Sequence, residues 1–520
     1  MSDSTITFLV LAVVVVVFVW DRLPVAIVAL GVALSLWATG VLDLEQALAG
    51  FGDPAVIFIA SLFVVSESQD ASGITSWAGQ ELTARVGESR RRTIVLMMLL
   101  VAFLTALISV NGAVAALLPI VVVMAVRLKR PSSQLLMPLA FGAHAGSLLA
   151  LTGTPVNVIV SEAAENAGVG GFGFFEFALV GVPLLVGTVA IVVLFGERLL
   201  PHRSGRSIPH DFGDHAHTLV DQYEIDEAAD TLLTSRSGVA EVVIPPRSGL
   251  IGETVFPGMV TDSGDLVVLA VQRRGEDRPG GHVLAAGDTI LFRGSWDALG
   301  ENLDDPDVLV VDTPELVRRQ AVPLGAGAKR TIGVLVVMVA LLATGAVPAA
   351  VAGLGAACAL VLLGVLSVEQ AYRGISWTTV ILVGGMLSLS TAMVETGAAN
   401  DIADRIVQVV GDAGPHALLL AIVLLTVVFG QLISNMATAL IVIPIAVSAA
   451  AELDISAKPV LMAVTVAAAA SFLTPVATPA NLMVMGPGSY RFTDYWKLGL
   501  PLLTLFVAVA VFLVPVIWRF

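Results

Sequence analysis

The sequence is short of charge: 13% of its 520 residues are Asp, Glu, Lys or Arg, against about 25% in an ordinary soluble domain. It has one cysteine, Cys358, inside an apolar run, which excludes disulfides and cysteine-based metal centres. It has no dense stretch of Lys and Arg, and its net charge is −15, so no nucleic-acid partner is expected. No basic segment precedes the first hydrophobic stretch and no small-residue cleavage site follows it. That stretch therefore reads as a retained span rather than a signal peptide. What the chain does have is hydrophobicity, 57% of its residues, gathered into uncharged runs such as 8–20, 93–126 and 332–368. Runs of this kind are membrane spans or half-spans. They exclude a soluble enzyme and a disordered regulator.

The charge is unevenly placed. Residues 201–328 hold 21 acidic and 10 basic side chains, whereas the other 392 residues hold 21 and 17. A nearly neutral membrane body is thus interrupted by an acidic, water-soluble segment of domain size. Three parts follow: residues 1–200, 201–328 and 329–520.

The first and third parts are copies, related by a shift of about 324 residues along the chain. Glu45-Gln46-Ala47 with Gly50 returns as Glu369-Gln370-Ala371 with Gly374, and Gly73 returns as Gly397. Ser109 with Pro119 returns as Ser434 with Pro444. Thr154-Pro155-Val156-Asn157 returns as Thr478-Pro479-Ala480-Asn481, and Gly181 with Pro183 resembles Gly499 with Pro501. Five matches in order exclude coincidence.

Charge orients the copies. Arg90, Arg91 and Arg92 precede the apolar run 93–126, and Arg127, Lys129 and Arg130 follow it. By the positive-inside rule both ends are cytoplasmic, which makes the run a re-entrant hairpin. The matching run, about 417–450, has no Lys or Arg between Arg405 and Lys458, so its hairpin opens outwards. Crossings read near 6–20, 24–40, 54–70, 135–163 and 176–195. Five is odd, so the second copy is upside down. Arg198, Arg203, Arg206, Lys329 and Arg330 place the insert in the cytoplasm and both termini outside. The expected fold is an α-helical polytopic protein of the cytoplasmic membrane: two inverted repeats of five crossings plus a hairpin each, with a small cytoplasmic α/β insert. Such repeats with interrupted helices mark a secondary transporter whose site lies near the midplane.

Four polar interruptions are the candidate site. Two are hairpin tips, Ser109, Asn111, Gly112 and Ser434, Asn435, Thr438. Two are breaks, Thr152-Gly153-Thr154-Pro155 to Asn157, and Thr474-Pro475 through Ala477, Thr478 and Pro479 to Asn481. Proline removes a backbone donor and so frees carbonyl oxygens. Ser, Thr and Asn add neutral oxygens, which suit Na⁺ without burying a formal charge. Helix N-termini beside the breaks suit an anion. A small anion is therefore expected at Ser109, Asn111, Gly112, Thr154, Asn157, Ser434, Asn435, Thr478, Pro479 and Asn481. Na⁺ is expected at Ser109, Asn111, Gly153, Asn157, Asn435, Thr438, Thr474, Ala477 and Asn481. Small polar residues in membrane helices commonly serve packing alone; it is the recurrence of all four interruptions in both copies that favours a site. His144 leads into the first break either as a hydrogen-bonded structural histidine or as a proton or substrate group, and its repeat mate is Ala468.

These motifs, with Phe472-Leu473-Thr474-Pro475, Asn481 to Gly488 and Tyr490-Arg491-Phe492, resemble the divalent anion:sodium symporter family of the ion transporter superfamily. The resemblance implies Na⁺-coupled uptake of sulfate or a di- or tricarboxylate, an elevator-type movement and a homodimer. The tips Ser109-Val110-Asn111 and Ser434-Asn435-Met436 depart from that family's Ser-Asn-Thr pattern. The alternatives are a proton-driven exporter of the same superfamily and a ligand-gated channel. Within the insert, Val242 to Thr254, Leu266 to Gly275 and Leu284 to Gly294 read as strands joined by turns. Residues 237–303 resemble the C-terminal domain of regulators of potassium conductance, which implies dimerisation and leaves a nucleotide or other regulator open. Asp214-His215-Ala216-His217 is too weak a pattern for a metal site.

Overall fold

The computed structural model describes residues 2–20, 22–85, 89–203, 237–261, 264–278, 280–303, 305–311, 327–410, 413–475 and 477–520. Two compact units emerge: Met1–Ser68, Leu82–Ile208 and Ile332–Phe520 in one, Gln69–Glu81 and Pro209–Thr331 in the other. Residues 214–217 lie outside the described residues.

Outside the insert the protein is helical. Its chain runs through α1 (Asp3–Trp20), α2 (Val25–Ala38), α3 (Leu44–Ala49), α4 (Pro54–Ala71), α5 (Ile74–Arg85), α6 (Arg90–Leu107), α7 (Val110–Arg127), α8 (Leu136–Gly146), α9 (Pro155–Asn166) and α10 (Ala178–Leu199). After the insert, whose described residues include α11 (Trp296–Asn302), a second series follows in the same order. It comprises α12 (Ala328–Thr344), α13 (Ala349–Leu362), α14 (Val368–Gly374), α15 (Trp377–Glu395), α16 (Ala398–Val410), α17 (Pro415–Leu432), α18 (Asn435–Glu452), α19 (Ala457–Ala468), α20 (Pro479–Met485) and α21 (Tyr495–Ala508). The last continues through a π turn, Val509–Leu513, into Val514–Ile517.

The recurring motifs have local causes. Gln46 and Gln370 each complete a capping box, with Asp43 and Ser367, at the start of α3 and α14. Gly73 and Gly397 sit at φ +75° and +74°, just past helix ends, where only glycine is unstrained. Gly50 lies against α15, where an added Cβ would be 2.2 Å from the Gly384 carbonyl oxygen. Gly374 lies against α4, where an added Cβ would be 2.7 Å from Glu67 Cβ. Gln46 also donates to Glu395 at 3.0 Å. The segment before α4 therefore meets the end of α15, and the segment before α15 meets the end of α4.

Among the described residues, seven helical segments are long and apolar enough to cross a membrane, Asp3–Trp20 and Phe492–Ile517 among them. Their outward faces agree with that. Leu9, Val13, Val16 and Val19 on α1, and Leu179, Val182, Val186, Leu194 and Phe195 on α10, are exposed. Each would forfeit about 1.5–3 kcal/mol of burial in water; in lipid that loss vanishes.

Unit two contains an antiparallel sheet of order β4-β3-β6-β1-β7, from β1 (Ser237–Val243), β3 (Leu266–Arg273), β4 (Glu276–Asp277), β6 (Asp288–Ser295) and β7 (Leu309–Val310). A separate ribbon pairs β2 (Thr254–Val255) with β5 (His282–Val283). The sheet continues past the expected end at Leu303 to Val310, and α11 supplies Trp296 and Leu299 to its core. Gly238 is required there because an added Cβ would be 2.2 Å from the Trp296 ring. Asp288 staples the strands: Arg273 donates to both its oxygens at 2.6 and 2.7 Å, Ala285 N–H at 2.8 Å, and His282 Nε2 lies at 3.0 Å. Burial pushes that carboxyl up, but Arg273, the Ala285 N–H and His282 outweigh it and hold the pKa at about 2.

Candidate functional site

At the first break α8 ends at Gly146 and α9 begins at Pro155. The Thr154 hydroxyl accepts the Val156 N–H at 3.4 Å, and Pro155 takes the first helical position, where its missing N–H costs nothing. Asn157, fully buried, turns its amide back. Its Nδ2 donates to the carbonyls of Ser147 at 2.8 Å and Ala150 at 2.9 Å. The second break repeats the bridge residue for residue, with the cap shifted by one N–H. Thr478 caps α20 by accepting the Asn481 N–H at 3.3 Å, and Asn481 Nδ2 donates to Ser471 O at 2.7 Å and Thr474 O at 3.1 Å.

Ser147 caps the end of α8 and the other three carbonyls lie in the unwound stretches beyond α8 and α19; the carboxamide of the following half-helix supplies each with a donor, and Ala150 O also accepts the Gly153 N–H at 3.1 Å. Each of these four carbonyls thus accepts an asparagine amide hydrogen on one of its two lone pairs. Each bridge leaves the carboxamide oxygen. Asn157 Oδ1 is buried without a hydrogen-bond partner among the described residues. Asn481 Oδ1 lies 3.2 Å from His144 Nε2, which also lies 3.2 Å from Thr478 Oγ1. His144 thus reaches from the first copy into the second copy's break, with its ring edge-on to Phe472 at 5.8 Å.

The breaks are also held by glycine. An added Cβ on Gly153 would be 2.3 Å from the Ser147 carbonyl oxygen, so its role is close approach; its mate Ala477 is buried with its methyl group in place. Gly181 of α10 and Gly499 of α21 press on the breaks from behind. Their added Cβ atoms would be 2.1 Å from Leu148 O and 2.3 Å from Phe472 O.

Each hairpin is two eighteen-residue helices joined at a tip, α6 to α7 and α17 to α18. The tip serines are N-caps: Ser109 accepts the Gly112 N–H at 3.2 Å and Ser434 the Ala437 N–H at 3.3 Å. Gly112 closes tightly, since an added Cβ would be 2.8 Å from Ile108 and 3.2 Å from the Ser109 hydroxyl. Asn111 is exposed in the first turn of α7, whereas Asn435 accepts a short hydrogen bond from Ser471 at the second break. Gln431 completes that lacing, donating to Ala470 O at 3.2 Å and accepting from Leu473 N–H at 3.0 Å. At the first break the corresponding tie is Thr152 Oγ1 to Ala106 O at 2.7 Å. Among the described residues Thr438 Oγ1, like Thr105 Oγ1 and Thr188 Oγ1, is also buried without a hydrogen-bond partner.

Asn435, Thr474, Thr478 and Asn481 are thus joined through Ser471, Gln431 and His144, with Ser434 capping the tip beside them. Thr154 and Asn157 form the matching centre of the first break. Among the described residues Ser109 and Gly112 bond each other within the first tip, Asn111 is exposed there, and Pro479 is exposed. Gln431, Ser471 and Tyr495, whose hydroxyl donates to Asn481 O at 2.6 Å, were not singled out in the sequence. Gln431 carried a signal, as a long polar side chain inside an uncharged run. Across the copies, α9 packs on α18 and α19, and α20 packs on α7 and α8.

A family model described as "Citrate transporter" matches residues 15–467 and 412–520. The chain is 30% identical to the Escherichia coli (strain K12) protein named uncharacterized transporter YfbS, over 98% of each chain. It is 29% identical to the probable sodium/sulfate cotransporter 3 of Chlamydomonas reinhardtii, over 57% of this chain and 34% of that one. Among solved structures, the Alcanivorax borkumensis YdaH transporter aligns at TM-score 0.51 and 13% identity, over 97% of this chain and 98% of that one.

Proposed function

Because the chain belongs to the citrate transporter family, and is therefore a multi-pass membrane transporter of small anions rather than an enzyme, we propose that it is a Na⁺-coupled symporter. The anion is sulfate or a di- or tricarboxylate. The observation that carries this reading is the pair of breaks, each closed on itself by an asparagine whose amide hydrogens are spent, with the Asn157 oxygen left over among the described residues. An unpartnered buried carboxamide oxygen costs about 1–3 kcal/mol, and Asn157 Oδ1 and Thr438 Oγ1 are two such oxygens. A Na⁺ ion, a hard cation that takes neutral oxygens, relieves that cost without a buried formal charge. The N-termini of α7, α9 and α18 bring positive dipole ends towards an anion. Cation and anion then each lower the cost of holding the other, which is symport. A relative named as a sodium/sulfate cotransporter supports both ions.

The copies are read as inverted because the third crossings meet start to end, Gln46 with Glu395 and Glu67 with Gly374. Their rocking, in an elevator-type movement, would expose the site alternately to either side. In this reading the insert is cytoplasmic, both termini are outside, and the antiparallel module serves a homodimer, with or without a bound nucleotide. A thermal-shift screen tests the substrate class. Sulfate, citrate or succinate should raise the melting temperature more in NaCl than in KCl, by the linkage that gives about 2.7 kcal/mol at a hundred times the Kd. Equal shifts in both salts would remove Na⁺ from the reading.

A further inference from the structure

The two breaks share their capping threonines, prolines and bridging asparagines, and differ in what faces the asparagine oxygen. In the first, Asn157 Oδ1 has no partner among the described residues. In the second, the matching oxygen faces an imidazole at 3.2 Å. The difference traces to position 144 and its repeat mate, histidine in α8 and Ala468 in α19. Asn481 Nδ2 is committed to Ser471 O and Thr474 O, so the amide group towards His144 is the oxygen, an acceptor, and Nε2 must carry the hydrogen. That hydrogen is shared with Thr478 Oγ1, also at 3.2 Å. The ring is 1% exposed, held by Phe472 edge-on and by Phe141, which packs on Phe472 at 5.0 Å. An N–H donor pointed at an oxygen fills the space a cation would need.

We propose that His144 takes the place of a cation at the second break, so that the protein carries one Na⁺, at Asn157, where its symmetry alone would suggest two. This rests on the Na⁺-coupled reading and names the stoichiometry of that same site. The imidazole acts as a positioning residue: it fixes the Asn481 carboxamide and ties the first copy's α8 to the second copy's break, so that both copies share one anchor at the midplane.

The test is ²²Na⁺ binding by equilibrium dialysis to the purified full-length chain, with the Hill coefficient for Na⁺ in uptake as a second readout, since it is bounded by the number of coupled sites. The wild type should bind about one Na⁺ per chain with a Hill coefficient near 1, and His144→Ala about two with a coefficient approaching 2. His144→Gln, which keeps an N–H donor, should stay near one. Ala468→His should lower Na⁺ affinity by roughly tenfold or more by closing the Asn157 oxygen. Two Na⁺ bound by the wild type, or one by both the wild type and His144→Ala, overturns the assignment, and so does no Na⁺ bound by either. Uptake that ignores Na⁺ while His144→Ala still adds one bound ion would overturn the coupling reading instead, and leave the assignment standing.

Discussion

Asn157→Ala is expected to abolish Na⁺-driven uptake and to lower the thermal stability of the purified protein at the same time. The substitution removes two hydrogen bonds and leaves the Ser147 carbonyl without its donor, while Ala150 O keeps the Gly153 N–H at 3.1 Å. At about 1–3 kcal/mol for the one buried carbonyl left unsatisfied and about 1 kcal/mol for the other lost bond, the break loses roughly 2–4 kcal/mol. It also removes the open oxygen, and one ligand to a charged partner is worth about 1.5–3 kcal/mol, or roughly ten- to a hundredfold in Na⁺ affinity. Asn481→Ala removes two equivalent bonds and the contact with His144. It should therefore cost at least as much stability as Asn157→Ala, and weaken Na⁺ binding less. Uptake assays on the two variants, reconstituted at equal density, check the comparison. Wild-type rates in Asn157→Ala would move the site away from the break.

Gly181→Val and Gly499→Val are expected to yield little folded protein. The new Cβ would stand 2.1 Å from Leu148 O and 2.3 Å from Phe472 O, both backbone atoms at the start of a break. No side chain can swing aside to make room, so α10 or α21 must move off the break. Overpacking in a tight core costs about 1–3 kcal/mol when side chains can adjust, and backbone displacement costs more. Gly31→Val is the control, because nothing lies within 4 Å of its added Cβ. Size-exclusion profiles and melting temperatures of the three variants decide it. A Gly181→Val protein as stable as Gly31→Val would mean that α10 does not press on the break.

Much of the architecture was legible because its cause is local or periodic. The uncharged runs set the crossings: the expected spans 6–20, 54–70 and 176–195 became Asp3–Trp20, Pro54–Ala71 and Ala178–Leu199. The Thr-Pro-x-Asn motif announced a helix start, since a capping Thr and a proline at the first position are strong local signals. The recurrence of each motif showed that both breaks mattered. What the motifs did was less legible. The Glu-Gln-Ala match proved to mark a capping box on a short helix, with no part in the site.

The asparagines were singled out for their oxygens, yet their amide hydrogens do the structural bridging, and only the third dimension shows which carbonyls they meet. Long-range partners carry no sequence mark. Nothing in the spacing of Gln431 from Leu473, or of Tyr495 from Asn481, says that the two touch. His144 was the hardest case. Its lack of a repeat mate counted against it by symmetry, whereas in the fold that lack is what makes the two breaks unequal. The tips lie between these extremes. Ser109 and Ser434 match in sequence and in capping role, while Asn111 and Asn435 are one residue out of register and differ in surroundings.

The most direct test of Na⁺-coupled anion transport is uptake of radiolabelled sulfate and citrate into proteoliposomes holding the purified full-length chain. An inward Na⁺ gradient should drive saturable accumulation of at least one of these anions above its external concentration, and an equal K⁺ gradient should not. Accumulation that is indifferent to Na⁺, or unitary currents in a planar bilayer, would contradict it.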